Sequence, residues 1–273
     1  IYSIEDLAQL IYDLKQINPT ATVTVKLVAR TGIGTIAAGV AKAKADAILI
    51  SGHSGGTGAS PQSSIHYAGL PWEMGLSEAH QVLMLNRLRH RLVLRTDGGI
   101  KTGRDVVMAA MLGAEEFGIG TAALVAMGCI MVRQCHSNTC PVGVCVQDEK
   151  LREKFGGSPE KVINLFTLIA EDIRHILADL GVRSLEEVIG RTDMLRQVSR
   201  GADYLDDLDL NSLLVQADPG GHARFCTREG RNEVPETLDG QIIPDATALF
   251  ERREKLHLHY TVQNQHPASG TRV

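Results

Sequence analysis

The sequence predicts an α/β fold, the C-terminal half of a (β/α)8 TIM barrel, followed by a cysteine-rich loop, a helical extension and a polar connector. Over residues 1–127, short apolar segments alternate with amphipathic or alanine-rich segments, which predicts βα units and a parallel sheet covered on its outer face. Glycine and polar residues repeatedly follow the apolar segments, as they do at the carboxyl edge of such a barrel. A complete barrel needs about eight units, whereas roughly four are visible here, so half a barrel is expected. A small open α/β sheet is the alternative.

The first unit is preceded by a helix. Residues 3–14 carry apolar side chains at helical spacing, and Ser3 is a plausible N-cap. Residues 22–28 are β-branched and apolar except for Lys26, which predicts a strand. A turn with two glycines then leads into an alanine-rich helix over 35–45.

The remaining units repeat this pattern. Strands are predicted over 47–50, 92–95 and 116–119, and helices over 77–89, with Ser77 as the cap, 102–112 and 122–127.

The chain after the fourth unit divides into three predicted parts. Residues 128–148 form the cysteine loop, and 149–193 a helical extension whose long helix begins at the N-cap pair Ser158-Pro159. Residues 194–273 are polar, which predicts a connector towards a further domain. The chain starts with Ile1 and has neither an initiator Met nor a signal pattern, so we expect a piece of a longer chain.

Composition narrows the function class. The net charge of −4 gives no electrostatic footprint for nucleic acid, and no apolar run is long enough for a membrane span. Four of the five cysteines lie between residues 129 and 145, which does not fit a secreted disulfide framework. Metal or redox chemistry in a cytoplasmic protein is the expectation.

Glycines at the ends of the third and fourth strands predict a phosphate site. Asp97, Gly98 and Gly99 follow the third strand, and the fourth strand ends in Gly118, Gly120 and Thr121. Glycine permits close backbone approach, and phosphate sites after the last two strands recur in these barrels. A phosphate-bearing cofactor is therefore expected, although such glycines can also serve only to shape turns.

Two further stretches are candidates for the cofactor. Lys26 interrupts an apolar strand and is expected to place a cation at the barrel mouth, where it would stabilise a reduced flavin; its alternative is a contact with a helix-end carboxylate or solvent. The small residues of loop 51–61, among them Ser51, Gly52 and Gly56, could pack flat against a planar ring. A mobile surface loop is the alternative.

The cysteines predict an iron–sulfur cluster. Their C-x5-C-x4-C-x4-C spacing is wider than zinc sites favour, and a Cys-Pro pair is typical of iron–sulfur loops. Spacing alone leaves a four-iron cluster, a three-iron cluster with one bystander cysteine, and unliganded cysteines open.

These motifs together resemble the central synthase region of the large subunit of glutamate synthase. The matching stretches are VKLV at 25–28, GIGTIAAGVAKA at 32–43, SGHSGGTGASP at 51–61, PWE at 71–73, RTDGGIK at 95–101, EFGIGT at 116–121, GC at 128–129, CHSNTCPVGV at 135–144 and IGRT at 189–192. The resemblance covers residues 1–193 closely and the rest loosely.

The resemblance implies FMN and a three-iron, four-sulfur (3Fe-4S) cluster on Cys129, Cys135 and Cys140, with Cys145 as a bystander. Lys26 would lie against the flavin, and Gly98, Gly99, Gly120 and Thr121 would hold its phosphate. The implied reaction is reductive synthesis of L-glutamate from 2-oxoglutarate through 2-iminoglutarate, with ammonia from glutamine.

The implied partners follow from the same family. Electrons would come from an NADPH-dependent small subunit or from ferredoxin. An amidotransferase and the first half-barrel would precede this region, and a β-helix domain would follow it. The alternatives from other classes are an electron-transfer module without local catalysis and a phosphosugar or nucleotide enzyme with structural cysteines.

Overall fold

The fold is built on one parallel sheet of four strands in the order β1-β2-β3-β4. A computed structural model of the chain describes residues 1–55, 62–217, 221–236, 238–262 and 270. The strands are β1 (Thr24–Val28), β2 (Ala47–Ser51), β3 (Val93–Asp97) and β4 (Glu116–Gly118). The predicted α/β fold with a parallel sheet is therefore confirmed.

Helices connect the strands and continue after them. They are α1 (Ile4–Ile17), α2 (Ile33–Lys42), α3 (Gln62–Tyr67), α4 (Trp72–Leu85), α5 (Gly103–Met111), α6 (Thr121–Ala126), α7 (Glu149–Arg152), α8 (Pro159–Asp179), α9 (Asp203–Asp206), α10 (Asp239–Asp245) and α11 (Thr247–Arg252). Short 3-10 turns lie at Arg89–Arg91, Glu186–Val188, Thr192–Met194 and Asn211–Leu214.

The two faces of the sheet differ in chemistry. Ile48, Ile50 and Leu94 point to one face and are fully buried in the main apolar core, which includes residues of the helices α2, α4 and α5. On the opposite face Lys26, Leu49, Arg95 and Glu116 lie in one row across the register. Since neighbouring residues of a strand point to opposite faces, the alternation separates an apolar outer layer from a charged open layer.

Helix α4 begins earlier than the sequence predicts. It starts at Trp72, and Ser77, the expected N-cap, is a buried residue of its second turn. The Ser77 Oγ donates to the backbone oxygen of Leu213 at 2.7 Å. The prediction was wrong because the serine hydroxyl bonds to a distant segment of the chain. Trp72, at the start of the helix, joins the main core.

Helix α8 lies beside α5. The Asp172 carboxylate accepts a hydrogen bond of 2.9 Å from the backbone N–H of Gly103, at the start of α5. Ile169 of α8 joins the main core, and Leu177 joins a second cluster with Val107 and Met111. The expected N-cap pair Ser158-Pro159 is present at its start. The helical extension is thereby attached to the outer layer.

The segment after residue 194 binds back onto the amino edge of the sheet. Asn232 is buried, and its Nδ2 donates to the backbone oxygens of Ala45 and Arg91 at 2.8 and 2.9 Å. Its backbone oxygen accepts from Lys15 Nζ at 2.7 Å, and Lys15 pairs with Asp46 at the same distance. Burial lowers the pKa of Lys15, and Asp46 opposes this effect. A segment expected to be a polar connector therefore contributes buried contacts.

Within the described residues, no helix is both long and apolar enough to cross a membrane.

Candidate functional site

A cavity of about 400 Å3 opens at the carboxyl edge of β3 and β4. The strand-end residues Ser51, Asp97 and Gly118 are register partners, so these ends meet in one row. The cavity is lined by Ser54, Gly55, Asp97, Gly98, Gly99, Ile100, Gly118, Ile119, Gly120, Thr121, Leu124, Cys129, Met131, Arg133 and Cys135. We call it the glycine cavity.

Asp97 is the acidic group of the glycine cavity, and its carboxylate is already bound on both sides. The Ser51 Oγ donates to Oδ1 at 2.5 Å, and Lys26 Nζ lies 3.2 Å from Oδ2. Lys26 is the third residue of β1, so its side chain spans β2 to reach the end of β3. These contacts fix the orientation of the carboxylate.

Several glycines are needed because the backbone comes close to this carboxylate. A Cβ at Gly118 would lie 2.8 Å from the Cβ of Asp97, and one at Gly55 would lie 2.3 Å from both Asp97 Oδ1 and Ser51 Oγ. Gly98 and Gly99 have φ angles of +111° and +101°, which favour glycine. Glycine backbone therefore forms the part of the cavity wall nearest Asp97.

The predicted cofactor residues fall into two groups. Asp97, Gly98, Gly99, Gly118, Gly120 and Thr121 line the glycine cavity. Ser51 and Gly52 lie behind it: Ser51 binds Asp97, while a Cβ at Gly52 would lie 2.9 Å from the backbone nitrogen of Trp72. Lys26 reaches the site through Asp97. Gly56 lies outside the described residues.

The four clustered cysteines line a second cavity of about 240 Å3. We call it the cysteine cavity. Among the described residues, no three side chains are arranged to hold a single metal ion. An iron–sulfur cluster has a different requirement. Its thiolates bind several iron atoms of one large group, so they need not converge on a single ion. The thiol chemistry of the cavity fits such a group.

The thiols in the cysteine cavity have different surroundings. Desolvation raises the pKa of Cys140, but backbone N–H groups of residues 142–145 together bring this pKa below its ordinary value. For Cys145, desolvation and then repulsion from Cys135 and the other two thiolates raise the pKa. Its Sγ also lies 3.4 Å from the backbone oxygen of Cys135. The surroundings therefore favour the thiolate form at Cys140 more than at Cys145.

The glycine and cysteine cavities share one wall. Leu124, Cys129, Met131, Arg133 and Cys135 line both of them. A ligand in the glycine cavity would therefore lie next to a group bound in the cysteine cavity. This adjacency agrees with the chain order, since the first cysteine comes shortly after β4 and α6.

Sequence reasoning predicted Cys129 and Cys135 of the shared wall but missed the residues between them. Met131 and Arg133 are neither glycine nor cysteine, and no motif singled them out. The available signal was their position between Cys129 and Cys135, since a loop that holds one group also touches its neighbour.

A buried histidine lies away from both cavities. His80 is only 6% exposed, and its Nδ1 accepts from Arg89 Nε at 3.2 Å. Desolvation, followed by the charges of Arg89 and Arg224, lowers its pKa to about 3. Arg89 also pairs with Glu115 at 2.5 Å. This network supports the amino edge of the sheet.

Comparison with known proteins gives consistent matches. The family model described as "Conserved region in glutamate synthase" matches residues 1–183. The large chain of the NADPH glutamate synthase of Azospirillum brasilense is 76% identical over 100% of this chain, which is 18% of that relative. Ferredoxin-dependent glutamate synthase 2 of Synechocystis is 53% identical, and the NADPH large chain of Bacillus subtilis 52%, over 100% and 99% of this chain and 18% of each relative.

The chain thus spans 18% of the length of these relatives. Among solved structures, a mutant flavocytochrome b2 with pyruvate bound matches 76% of this chain and 42% of its own, with a TM-score of 0.47 and 19% identity.

Proposed function

Because the chain belongs to the glutamate synthase family, we propose that it forms the FMN- and cluster-binding half of a synthase barrel. The observation that carries this proposal is the wall shared by the glycine cavity and the cysteine cavity. It joins a backbone-lined site suited to a phosphate with a set of thiols suited to iron. A shared wall of this kind suits electron transfer between two groups.

The open sheet supports the half-barrel. Within the described residues, β1 and β4 each pair on one side only. The face with Lys26, Arg95 and Glu116 carries charged side chains that are partly exposed, and Arg95 pairs with Glu116 at 2.5 Å. An exposed edge and a half-covered sheet are liabilities that barrel closure removes. Four further strands from the parent chain would close it.

The glycine cavity is the proposed flavin site. Gly98, Gly99, Gly118, Gly120 and Thr121 would hold the phosphate end, since backbone without side chains allows close approach. FMN, when bound, supplies hydride transfer. Lys26 would place a cation near the flavin ring, and Asp97 would fix where that cation lies.

The cysteine cavity is the proposed cluster site. Cys129, Cys135 and Cys140 would be the ligands of a 3Fe-4S cluster, and the lowered pKa of Cys140 favours its thiolate form. Cys129 and Cys135 also line the glycine cavity, so the cluster would lie beside the flavin. It would bring electrons from an NADPH-dependent small subunit or from ferredoxin.

The parent reaction is proposed as the reductive synthesis of L-glutamate from 2-oxoglutarate, through 2-iminoglutarate, with ammonia from glutamine. This chain would contribute the flavin and cluster residues. The rest of the large subunit would contribute the amidotransferase, the other half-barrel and a β-helix domain. We place the enzyme in the cytoplasm.

The proposal is tested on the parent large subunit. Purified without oxygen, it should show flavin absorbance together with iron and sulfide, and should form glutamate from 2-oxoglutarate, glutamine and reductant. Iron without flavin would instead indicate an electron-transfer module, and flavin without iron would indicate a barrel enzyme with structural cysteines. The 273-residue chain alone should bind FMN weakly and form no glutamate; turnover by it would contradict the half-barrel.

A further inference from the structure

Arg133 is the one basic side chain that lines the glycine cavity within the described residues. It also lines the cysteine cavity, so it lies where the two meet. Two cations on the open face of the sheet are paired: Lys26 with Asp97, and Arg95 with Glu116. Arg133 forms no ion pair with any residue that the structure describes.

The backbone around Arg133 is held in an uncommon conformation. Met131 and Arg133 have φ angles of +57° and +63°, in the left-handed region that non-glycine residues seldom adopt. Such conformations persist where the surrounding structure demands them, often at ligand sites. Both residues lie between Cys129 and Cys135 and line the shared wall, so the strained stretch is the one that faces both cavities.

The charges of the glycine cavity create a need for a cation. A phosphate monoester carries about two negative charges near neutral pH. Asp97 in the same cavity is also acidic, and its partner Lys26 is engaged with it. Glycine backbone supplies N–H donors but no net charge. A cation from outside the glycine motifs would therefore offset the charge that the backbone donors leave.

We propose that Arg133 is the phosphate-binding cation of the flavin site, and that this contact holds the cysteine loop against the flavin. The inference rests on the proposed FMN site and adds to it a residue from between two cluster ligands. Arginine suits the role because its planar guanidinium matches a phosphate with two parallel hydrogen bonds, while lysine acts as a point charge.

The test compares FMN with riboflavin, which has the same ring but no phosphate. The parent large subunit is prepared without flavin, as wild type and as Arg133→Gln, Arg133→Lys and Arg152→Gln. Arg152 is the matched control, since it is exposed, ends helix α7 and lines neither cavity. Binding is followed by the change in flavin fluorescence, and iron content is measured in parallel.

Arg133→Gln should bind FMN at least about tenfold more weakly, the range expected for loss of a charge-assisted contact, while its riboflavin affinity stays within about twofold. Arg133→Lys should fall between Gln and wild type. Wild-type affinity for FMN should decrease with salt more steeply than that of Arg133→Gln. Arg152→Gln should match wild type throughout.

Two results would overturn the inference. An equal loss of FMN and riboflavin would mean that Arg133 only shapes the loop, and an unchanged FMN affinity would mean that it does not touch the phosphate. Should Arg133→Gln fail to fold, as judged by circular dichroism, the ratio of FMN affinity to riboflavin affinity is compared between Arg133→Lys and wild type. A lower ratio in Arg133→Lys supports the inference, and an equal ratio contradicts it. A wild-type protein that binds neither flavin contradicts the flavin site itself, which separates the failure of the proposed function from the failure of this inference.

Discussion

Ser51 and Asp97 are register partners across β2 and β3, and the Ser51 Oγ donates to Asp97 Oδ1 at 2.5 Å. Both belong to stretches that the sequence singled out, but their roles differ. Ser51 is fully buried and orients the carboxylate, whereas Asp97 faces the glycine cavity and binds Lys26. The Asp97 carboxylate thus connects β3 to β2 through Ser51 and to β1 through Lys26.

Replacing Lys26 tests whether this lysine, held by Asp97, acts on the flavin. In the parent enzyme, Lys26→Gln should lower glutamate synthesis by about tenfold or more, because a preorganised cation near the developing charge is lost. Lys26→Arg should retain more activity because it can still pair with Asp97. Steady-state turnover and the flavin reduction potential, which should become more negative in Lys26→Gln, are the measurements.

The control for Lys26 is Lys42→Gln on the exposed end of helix α2, which removes the same charge and should leave both quantities unchanged. An unaltered reduction potential in Lys26→Gln would show that the lysine does not act on the flavin.

Gly118→Ala should weaken FMN binding. The added Cβ would lie 2.8 Å from the Cβ of Asp97, so the cavity wall must shift. Overpacking of this kind costs about 1–3 kcal/mol, which corresponds to roughly 5- to 140-fold in affinity if the cost falls on the bound state. Flavin fluorescence titration of the parent subunit measures it. Gly156→Ala, where a Cβ meets nothing within 4 Å, should bind FMN as wild type does.

The cysteine assignment separates Cys145 from its neighbours. Cys145→Ser should keep iron, sulfide and visible absorbance at wild-type levels, because its thiol has a raised pKa and is less ready to bind as a thiolate. Cys140→Ser should lose the cluster. Iron analysis after anaerobic purification is the measurement. A cluster lost from Cys145→Ser, or retained in Cys140→Ser, would contradict the three-cysteine ligand set.

His80 should make the fold sensitive to acid. Its folded pKa is about 3, below its ordinary value of 6.5, so between these values the unfolded chain binds a proton that the folded chain does not. The free energy of unfolding should therefore fall by about 1.4 kcal/mol per pH unit from this residue as the pH drops from 6.5 towards 3. Its contribution is fully present only above pH 6.5.

Urea denaturation of the chain at several pH values checks this slope. His80→Gln should show a shallower loss of stability with acid, because the titrating group is gone while an amide oxygen can still accept from Arg89. His175→Gln, on the exposed side of helix α8, should keep the wild-type slope. Equal slopes in wild type and His80→Gln would mean that the histidine does not titrate as its burial implies.

The sequence predicted the sheet and the glycine cavity for one physical reason. In parallel strands the carboxyl ends lie at one edge, so residues that follow separate strands, such as Asp97 and Gly118, meet in space even though the chain keeps them apart. Periodicity and glycine placement are local signals, and they were sufficient for this part of the fold.

Local signals could not predict contacts between residues that lie far apart in the sequence. Ser77 has the composition of a helix cap, but its hydroxyl bonds to Leu213, which no pattern near residue 77 reveals. Arg133 belongs to no recognisable motif, and it lines the glycine cavity because the cysteine loop folds against that cavity. The same holds for Asn232, a polar residue in a polar segment that is nevertheless buried.

Asn232 also affects the order in which parts of the chain can fold. Its side chain completes hydrogen bonds with Ala45 and Arg91, 187 and 141 positions earlier in the sequence. Bringing such distant positions together is slow, and a chain made on the ribosome grows from its amino end. The amino edge of the sheet must therefore wait, with Lys15 and Asp46 still missing a partner, until residue 232 has left the exit tunnel. Until then the nascent sheet lacks these buried contacts, so we expect chaperones and proteases to act on it more readily than on the finished fold.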